Sequence, residues 1–400
     1  MLRYNSVWPN FHNLFLLPGK PIDKRQIFIF RMRTAILRMF QRIVILTALW
    51  ISFAPLLHAS EPAFVRESLR ARGMGNAFTA AANDEMLFFY NPAGLRSVNY
   101  NIYEIAGFNF TINQNTLDLG KSSSSNASLG KLAGKKIYFE GNLGLLSHVN
   151  SRFGWSLFSG ALLDIQVRNP VFPYLETKAY MQTGLAGGMA WSFLDYQLDV
   201  GLGGKLVQRA GIDTKMHVFD EAIIEITENK KSTKLRKKFA NKAAFAPDAG
   251  VTYHFDSVHN MEPKVAVSLQ NIGGLDFKGA GKVPMTMNIG VSTETELSGF
   301  DIIMAADYRD LTDSQNLVSK GNIITIRNIK LGAEIGWNKL FNGHHFISLR
   351  AGRNGPYNSV GWSMNLFGFK IDFAKYSQEI GGYAGELEDK RTSLQVSLIF

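Results

Sequence analysis

The stretch QLDVGLGGKLV, Gln197 to Val207, decides how this chain folds. Leu198, Val200, Leu202, Gly204 and Leu206 alternate with Gln197, Asp199, Gly201, Gly203 and Lys205, so an extended backbone turns an apolar face one way and a polar or vacant face the other. The same period of two separates Val265, Val267 and Leu269 from Lys264, Ala266, Ser268 and Gln270, and Ala249, Val251, Tyr253 and Phe255 from Asp248, Gly250, Thr252 and His254. It recurs in Ile302 to Tyr308, Leu331 to Trp337, Val360 to Leu366, and Thr392 to the terminal Phe400. A soluble antiparallel sandwich shows this period too, because one of its faces is also wet.

Connection lengths separate the two architectures. The pattern predicts fourteen strands: 102–112, 137–146, 153–163, 179–191, 196–207, 245–255, 264–271, 285–291, 301–308, 330–337, 346–353, 360–366, 369–376 and 392–400. Connections of 24, 15, 37, 13, 21, 6 and 15 residues then interleave with connections of 6, 4, 8, 9, 8 and 2. A barrel in the bacterial outer membrane alternates long external loops with short periplasmic turns and has an even strand count, whereas a sandwich has no reason to do so. The expected fold is all-β: a fourteen-stranded antiparallel transmembrane barrel over 101–400. Closure leaves no strand edge to recruit another chain. Glycines within strands (Gly187, Gly188, Gly203, Gly204, Gly352) are expected to permit bending or leave lumenal room, and Trp191, Tyr253, Tyr308, Trp337 and Phe400 to form interfacial girdles.

Composition agrees with this and removes alternatives. With no cysteine among 400 residues there is no disulfide scaffold, thiolate metal site or cysteine nucleophile. The net charge of +10 is concentrated in residues 1–60, where Arg3, Lys20, Lys24, Arg25, Arg31, Arg33, Arg38 and Arg42 face only Asp23, so no nucleic-acid partner is expected. Basic residues Arg31 to Arg42, an apolar run Ile43 to Leu57 and small residues Ala59 and Ser60 read as a secretory signal peptide, too short to span a bilayer as a helix. The expectation is an upstream extension over 1–38 preceding the true start, a signal peptide over 39–59 cleaved after Ala59 or Ser60, and export to the outer membrane. Beyond Ser60 no apolar run reaches 18 residues.

Residues 60–100 precede the first strand. Val65 to Ala71 reads as a short helix, Gly73 and Gly75 as a turn, Ala77 to Ala82 as a small-residue helix, and Asn91-Pro92 as a second turn. The run Met86 to Tyr90 is too apolar for water, and the lumen is the place to bury it.

These residues carry a resemblance. RGMGNAFTAAANDE (Arg72 to Glu85) followed by FYNPAGL (Phe89 to Leu95) resembles the amino-terminal signature of the FadL-like outer-membrane barrel superfamily, which includes long-chain fatty acid transporters and PorV-like proteins. LQNIGG (269–274), VPMTMNIGV (283–291), AADYRD (305–310), LGAEIG (331–336) and LRAGRN (349–354) are similar to it as well, and closer to the PorV-like branch. The resemblance implies a fourteen-stranded barrel with an amino-terminal plug, and an Asn-Pro-Ala motif matched by Asn91, Pro92 and Ala93. It further implies a passive channel for hydrophobic or amphipathic molecules such as long-chain fatty acids. Solute would meet apolar surface near Phe88, Phe89 and Tyr90 and pass when the plug shifts. The rival implication is a non-transporting accessory barrel acting in protein secretion or outer-membrane assembly.

No catalytic constellation is present, neither a Gly-x-Ser-x-Gly elbow nor His-Glu-x-x-His, so neither an enzyme nor a cofactor is expected. His344 and His345 read as a solvated turn rather than a metal site. Charges expected on the inward face are Asp199, Lys205, Asp248, Lys264, Asp301, Asp307, Glu334, Arg350 and Asp372, serving either as a solute path or as ladders that hold the plug. The connection before the sixth strand carries Lys230, Lys231, Lys234, Arg236, Lys237 and Lys238, a basic loop suited to lipopolysaccharide phosphates. The expected partners are outer-membrane lipid, lipopolysaccharide, a hydrophobic solute and, on the rival reading, a secretion partner.

Overall fold

The computed structural model describes residues 63–121, 135–168, 174–217, 237–315, 326–340, 343–381 and 384–400. The leader segments 1–38 and 39–59 lie outside the described residues. The strands are β1 (Ile102–Asn113), β2 (Lys136–Val149), β3 (Phe153–Arg168), β4 (Tyr174–Phe193), β5 (Leu198–His217), β6 (Ala240–His254), β7 (Met261–Gln270), β8 (Leu275–Asp276), β9 (Lys282–Val283), β10 (Thr286–Leu297), β11 (Phe300–Tyr308), β12 (Ile329–Lys339), β13 (His345–Asn354), β14 (Tyr357–Leu366), β15 (Phe369–Glu379) and β16 (Glu388–Ile399). Fourteen of them form a closed antiparallel barrel, and β8 with β9 makes a separate two-stranded hairpin. The ring closes between β1 and β16, where Phe108 faces Val396 and Phe110 faces Leu394.

Each barrel strand turns alternate residues to opposite sides. In β5, Asp199, Gly201 and Lys205 are buried, while Leu202 and Leu206 stand about half exposed on the exterior. Phe108, Leu143, Leu185, Met304, Ile335 and Val360 are likewise exposed on other strands. A belt of large apolar side chains around a closed cylinder is stable only where hydrocarbon replaces water. Among the described residues no helix is long and apolar enough to cross a membrane; the strands do the crossing.

One rim, here the short rim, carries connections 150–152, 194–197, 255–260, 298–299, 340–344 and 367–368; the other, the long rim, carries 114–135, 218–239, 271–285 and 309–328 among its connections. Two connections on the long rim, 169–173 and 355–356, are nevertheless brief. The sequence pattern ended β3 at 163 and began β4 at 179, but the pair runs on to Arg168 and Tyr174. Apolar alternation marks only the lipid-crossing part of a strand. Beyond it, Asp164 opposite Lys178 and Gln166 opposite Glu176 keep the ladder going in water.

Residues 63–100 fill the lumen. The helix α1 (Leu69–Gly73) starts at Ser68, whose side chain accepts from the Ala71 N–H, and 3₁₀ turns span Leu87–Phe89 and Pro92–Ser97. The expected helix over Ala77 to Ala82 does not form. The Asp307 carboxylate on the barrel wall accepts both the Phe78 and Thr79 N–H groups at 2.7 Å and ties this segment to β11. Gly75 and Asn76 supply the left-handed turn, with φ of 64° and 68°.

Candidate functional site

The plug sits against the inner wall through two kinds of contact. The first is steric, at glycines. A methyl group added to Gly201 would overlap the Pro92–Ala93 backbone, and one on Gly250 would overlap Asn91 Oδ1. Gly332 and Gly352 give the same clearance to Met74 and Gly75. These wall glycines are vacant because plug backbone occupies the space. Asn91 caps its 3₁₀ turn by accepting from the Ala93 N–H, while its Nδ2 donates to Thr79 O and to Thr252 Oγ1 on β6. Ser268 and Gln270 on β7 both donate to the Tyr90 carbonyl.

The second kind is ionic. Arg70 of α1 clasps Glu334 of β12 with two bonds, Nε at 2.8 Å and Nη2 at 3.0 Å, and reaches Asp84 within the plug at 3.3 Å. Glu334 also accepts from Arg350, which continues to Asp372; Lys370 then joins Asp372 at 3.2 Å to Glu85 of the plug at 3.5 Å. Every member of this chain is buried. Two-point guanidinium–carboxylate contacts of this kind fix orientation as well as charge. Within the plug, burial and the neighbouring Glu85 push the Asp84 carboxyl above its ordinary value. Burial opposes ionisation of Glu85 too, but the Lys370 ammonium and the His344 ring outweigh it and hold that carboxyl well below the usual range.

Four more of the inward charges are paired. Asp199 meets His254 at 2.7 Å, Lys205 meets Asp248 at 2.7 Å, and Asp301 meets His345 at 2.7 Å. Lys264 is buried on the inner face opposite Ser292. The expectation that His344 and His345 form a solvated turn is corrected: both are buried, His344 at 3.4 Å from Glu85 of the plug and His345 against Asp301. Among the described residues no group of three His, Cys, Asp or Glu side chains is placed to hold a metal.

Phe88, Phe89 and Tyr90 are 2 %, 6 % and 2 % exposed. Phe89 packs edge-on against Phe158 of β3, and Tyr90 edge-on against Phe78. They do not line the principal cavity, which lies at the long rim, has a volume of about 750 Å³ and is floored by plug residues Ala63 to Glu67 and Arg72. Its walls come from the outer ends of β2 to β5, β15 and β16 and from the inward-folded connection carrying β8 and β9. On the short-rim side of the plug, beside Arg70, Asp84 and His344, the void is only about 50 Å³. Sequence reasoning did not find Tyr138, Tyr180, Gln182 and Arg209 of the cavity wall. The signal available for them was the polar alternation beyond the apolar belt. Of the basic loop, Lys230, Lys231, Lys234 and Arg236 lie outside the described residues, and Lys237 and Lys238 lead into β6.

No family profile matches the chain, and no curated protein matches its sequence. Solved structures that are similar to it include the Ralstonia pickettii toluene transporter TbuX (11 % identity, 83 % of this chain and 97 % of that one, TM-score 0.46). A Pseudomonas aeruginosa FadL homologue (12 %, 85 % and 98 %, 0.44) and the P. putida toluene transporter TodX (11 %, 84 % and 98 %, 0.43) are others. The fold assignment rests on this chain's own closed ladder of fourteen strands.

Proposed function

We propose that the protein is an outer-membrane barrel that passes hydrophobic or amphipathic small molecules passively, with the plug as its gate. One observation carries this reading: the long-rim cavity ends on the plug, and on the other side of α1, beside Arg70 and His344, the space narrows to about 50 Å³. Any route through the cylinder therefore runs past the plug, which is held to the wall by non-covalent contacts that can be exchanged. The long connections face outward and the short turns face the periplasm. Lipid covers the apolar belt, and the basic loop from Lys230 to Lys238 meets lipopolysaccharide phosphates. Solute moves down its concentration gradient, assisted by partitioning of apolar surface out of water. The protein performs no covalent chemistry and needs no cofactor.

Because the chain has no cysteine, one engineered pair can test the gate without competing thiols. A Cβ at Gly203 lies 3.5 Å from that of Pro92, within the span of a disulfide, roughly 3.5–4.5 Å, and needs β4 to yield slightly at the Gly187 carbonyl, 2.8 Å away. Oxidised Pro92→Cys/Gly203→Cys protein in liposomes is expected to stop passing labelled fatty acid or toluene, and reductant to restore the flux. Unchanged flux through the oxidised pair would overturn plug gating. The filled lumen favours one rival, a PorV-like accessory barrel for secretion or assembly. It predicts no solute flux from wild-type protein, together with co-purification of a secretion complex.

A further inference from the structure

The cavity at the long rim is charged, and its charge is unbalanced. Eight cationic side chains line it against four acidic ones. Three of the four carboxylates are already engaged, Glu67 and Glu140 by Arg72 and Asp164 by Lys136, and Lys215, Lys282 and Arg391 meet Glu176, Asp276 and Asp389 just outside the lining; that leaves Arg66, Lys178, Arg209 and Lys278 against Asp213. Low-dielectric walls focus the surplus positive potential into the space between them.

Within that lining Arg209 of β5 is built as a receptor. Its guanidinium lies between two aromatic faces, 4.0 Å from the Tyr180 centroid and 4.3 Å from that of Phe277 on the inward-folded connection. Its Nε and Nη2 both donate to Gln182 Oε1, at 3.1 and 2.9 Å, and Gln182 is itself fixed by donating to the Val65 carbonyl of the plug. The side chain is 3 % exposed. Gln182 occupies the lateral edge of the guanidinium. The terminal edge, Nη1 with the second hydrogen of Nη2, has no partner among the described residues, and Arg209, Tyr180 and Gln182 all face the cavity. A planar cation packed against two rings and bonded along one edge, with its other edge open, matches the fork of a carboxylate and loses little freedom on binding one.

We propose that this cavity takes a compact organic anion, its carboxylate on the terminal edge of Arg209. This rests on the channel reading and narrows its solute class: Phe64, Val65, Ala161, Leu162 and Pro284 give a cavity of about 750 Å³ enough apolar wall for a compact body, and the Phe88–Tyr90 surface that a long alkyl chain would need is packed away. The exposed Lys278 beside the mouth adds attraction at entry.

The test is equilibrium binding of benzoate, toluene and palmitate to the purified full chain in detergent, followed by flux of each into liposomes. Benzoate is expected to bind, with an affinity that falls as salt rises. Arg209→Lys keeps the charge but removes the fork, and should weaken benzoate at least about tenfold. Lys278→Glu, on an exposed tip, leaves the fold untouched and should weaken benzoate about threefold by reversing charge at the mouth, so the proposal stays testable if Arg209 variants fail to fold. Benzoate binding that is absent, or unchanged in Lys278→Glu and in a folded Arg209→Lys protein, would overturn it. Toluene or palmitate flux without benzoate binding sinks this proposal alone, whereas flux of none of the three removes the channel reading with it.

Discussion

The two ends of the lumen are lined by the same residue types in opposite arrangements. Towards the short rim, Arg70, Glu334, Arg350, Asp372, Lys370 and Glu85 form a chain of alternating charge that crosses the plug–wall boundary at its two ends, Arg70–Glu334 and Lys370–Glu85. Towards the long rim, four lining cations, Arg66, Lys178, Arg209 and Lys278, form no ion pair among the described residues, and Arg209 is held by ring faces and an amide rather than by a carboxylate. The difference separates two jobs that a charged lumen can do. Paired charge locks one part of the protein to another; surplus charge waits for something that is not protein.

The largest effect should come from breaking the lock. Removing one partner of a buried ion pair strands the other in a medium that solvates it poorly, at a cost of about 3–5 kcal/mol. Glu334→Gln leaves Arg70 and Arg350 facing each other without the shared carboxylate. We expect a marked fall in the unfolding temperature and leak of small solutes through reconstituted protein. The double variant Arg70→Met/Glu334→Met, which removes the Arg70–Glu334 pair itself, should recover part of the loss. Equal stability of the single variant and the wild type would mean that the short-rim network does not lock the plug, and the contrast between the two ends would collapse.

A smaller effect separates steric from ionic seating. Gly250→Ala places a methyl group where Asn91 Oδ1 now lies, so the Asn91–Thr252 and Asn91–Ala93 bonds must move. Overpacking of this kind costs about 1–3 kcal/mol. Gly273 is the control, since nothing lies within 4 Å of a methyl group there, although its φ of 83° adds some backbone strain. Proteolysis of the plug should quicken in Gly250→Ala and change much less in Gly273→Ala. If both behave alike, the wall glycines serve strand bending and not the plug.

How far the sequence carries this picture differs along each strand. The fourteen strands are legible because lipid demands an apolar residue at every second position, and in β7 and β14 the inward and outward sets match the period residue for residue. Tyr180 and Gln182 fall inside the expected fourth strand, where the period gives only the side each faces, and Arg209 lies just past the expected end of the fifth at 207, so no local pattern brings the three together. The inward side of Asp307 could be read, but that it would accept the Phe78 and Thr79 N–H groups could not, and so a string of alanines looked helical. The glycines were visible as gaps in the lumenal face; that Asn91 to Ala93 fills two of them is a property of the folded pair, Gly201 and Gly250, that no local pattern encodes.

The smallest prediction concerns pH and bears on the lock alone. Glu85 has its folded pKa below the unfolded value of roughly 4.3, so its contribution is fully present above that value and is lost as pH falls through the depressed folded one. Asp84 works with the opposite sign: its folded pKa is raised, so ionised Asp84 opposes the folded state at neutral pH, and that cost is relieved as pH falls towards its unfolded value. Plug stability should therefore climb slightly on mild acidification and drop once Glu85 is protonated. Asp84→Asn should flatten the first limb and Glu85→Gln the second. Unfolding temperatures measured across this range for the two variants read each limb separately. Glu85 does not line the long-rim cavity, so benzoate affinity should not follow its protonation. A parallel fall of affinity with Glu85 protonation would show that the two ends are coupled through the plug rather than independent.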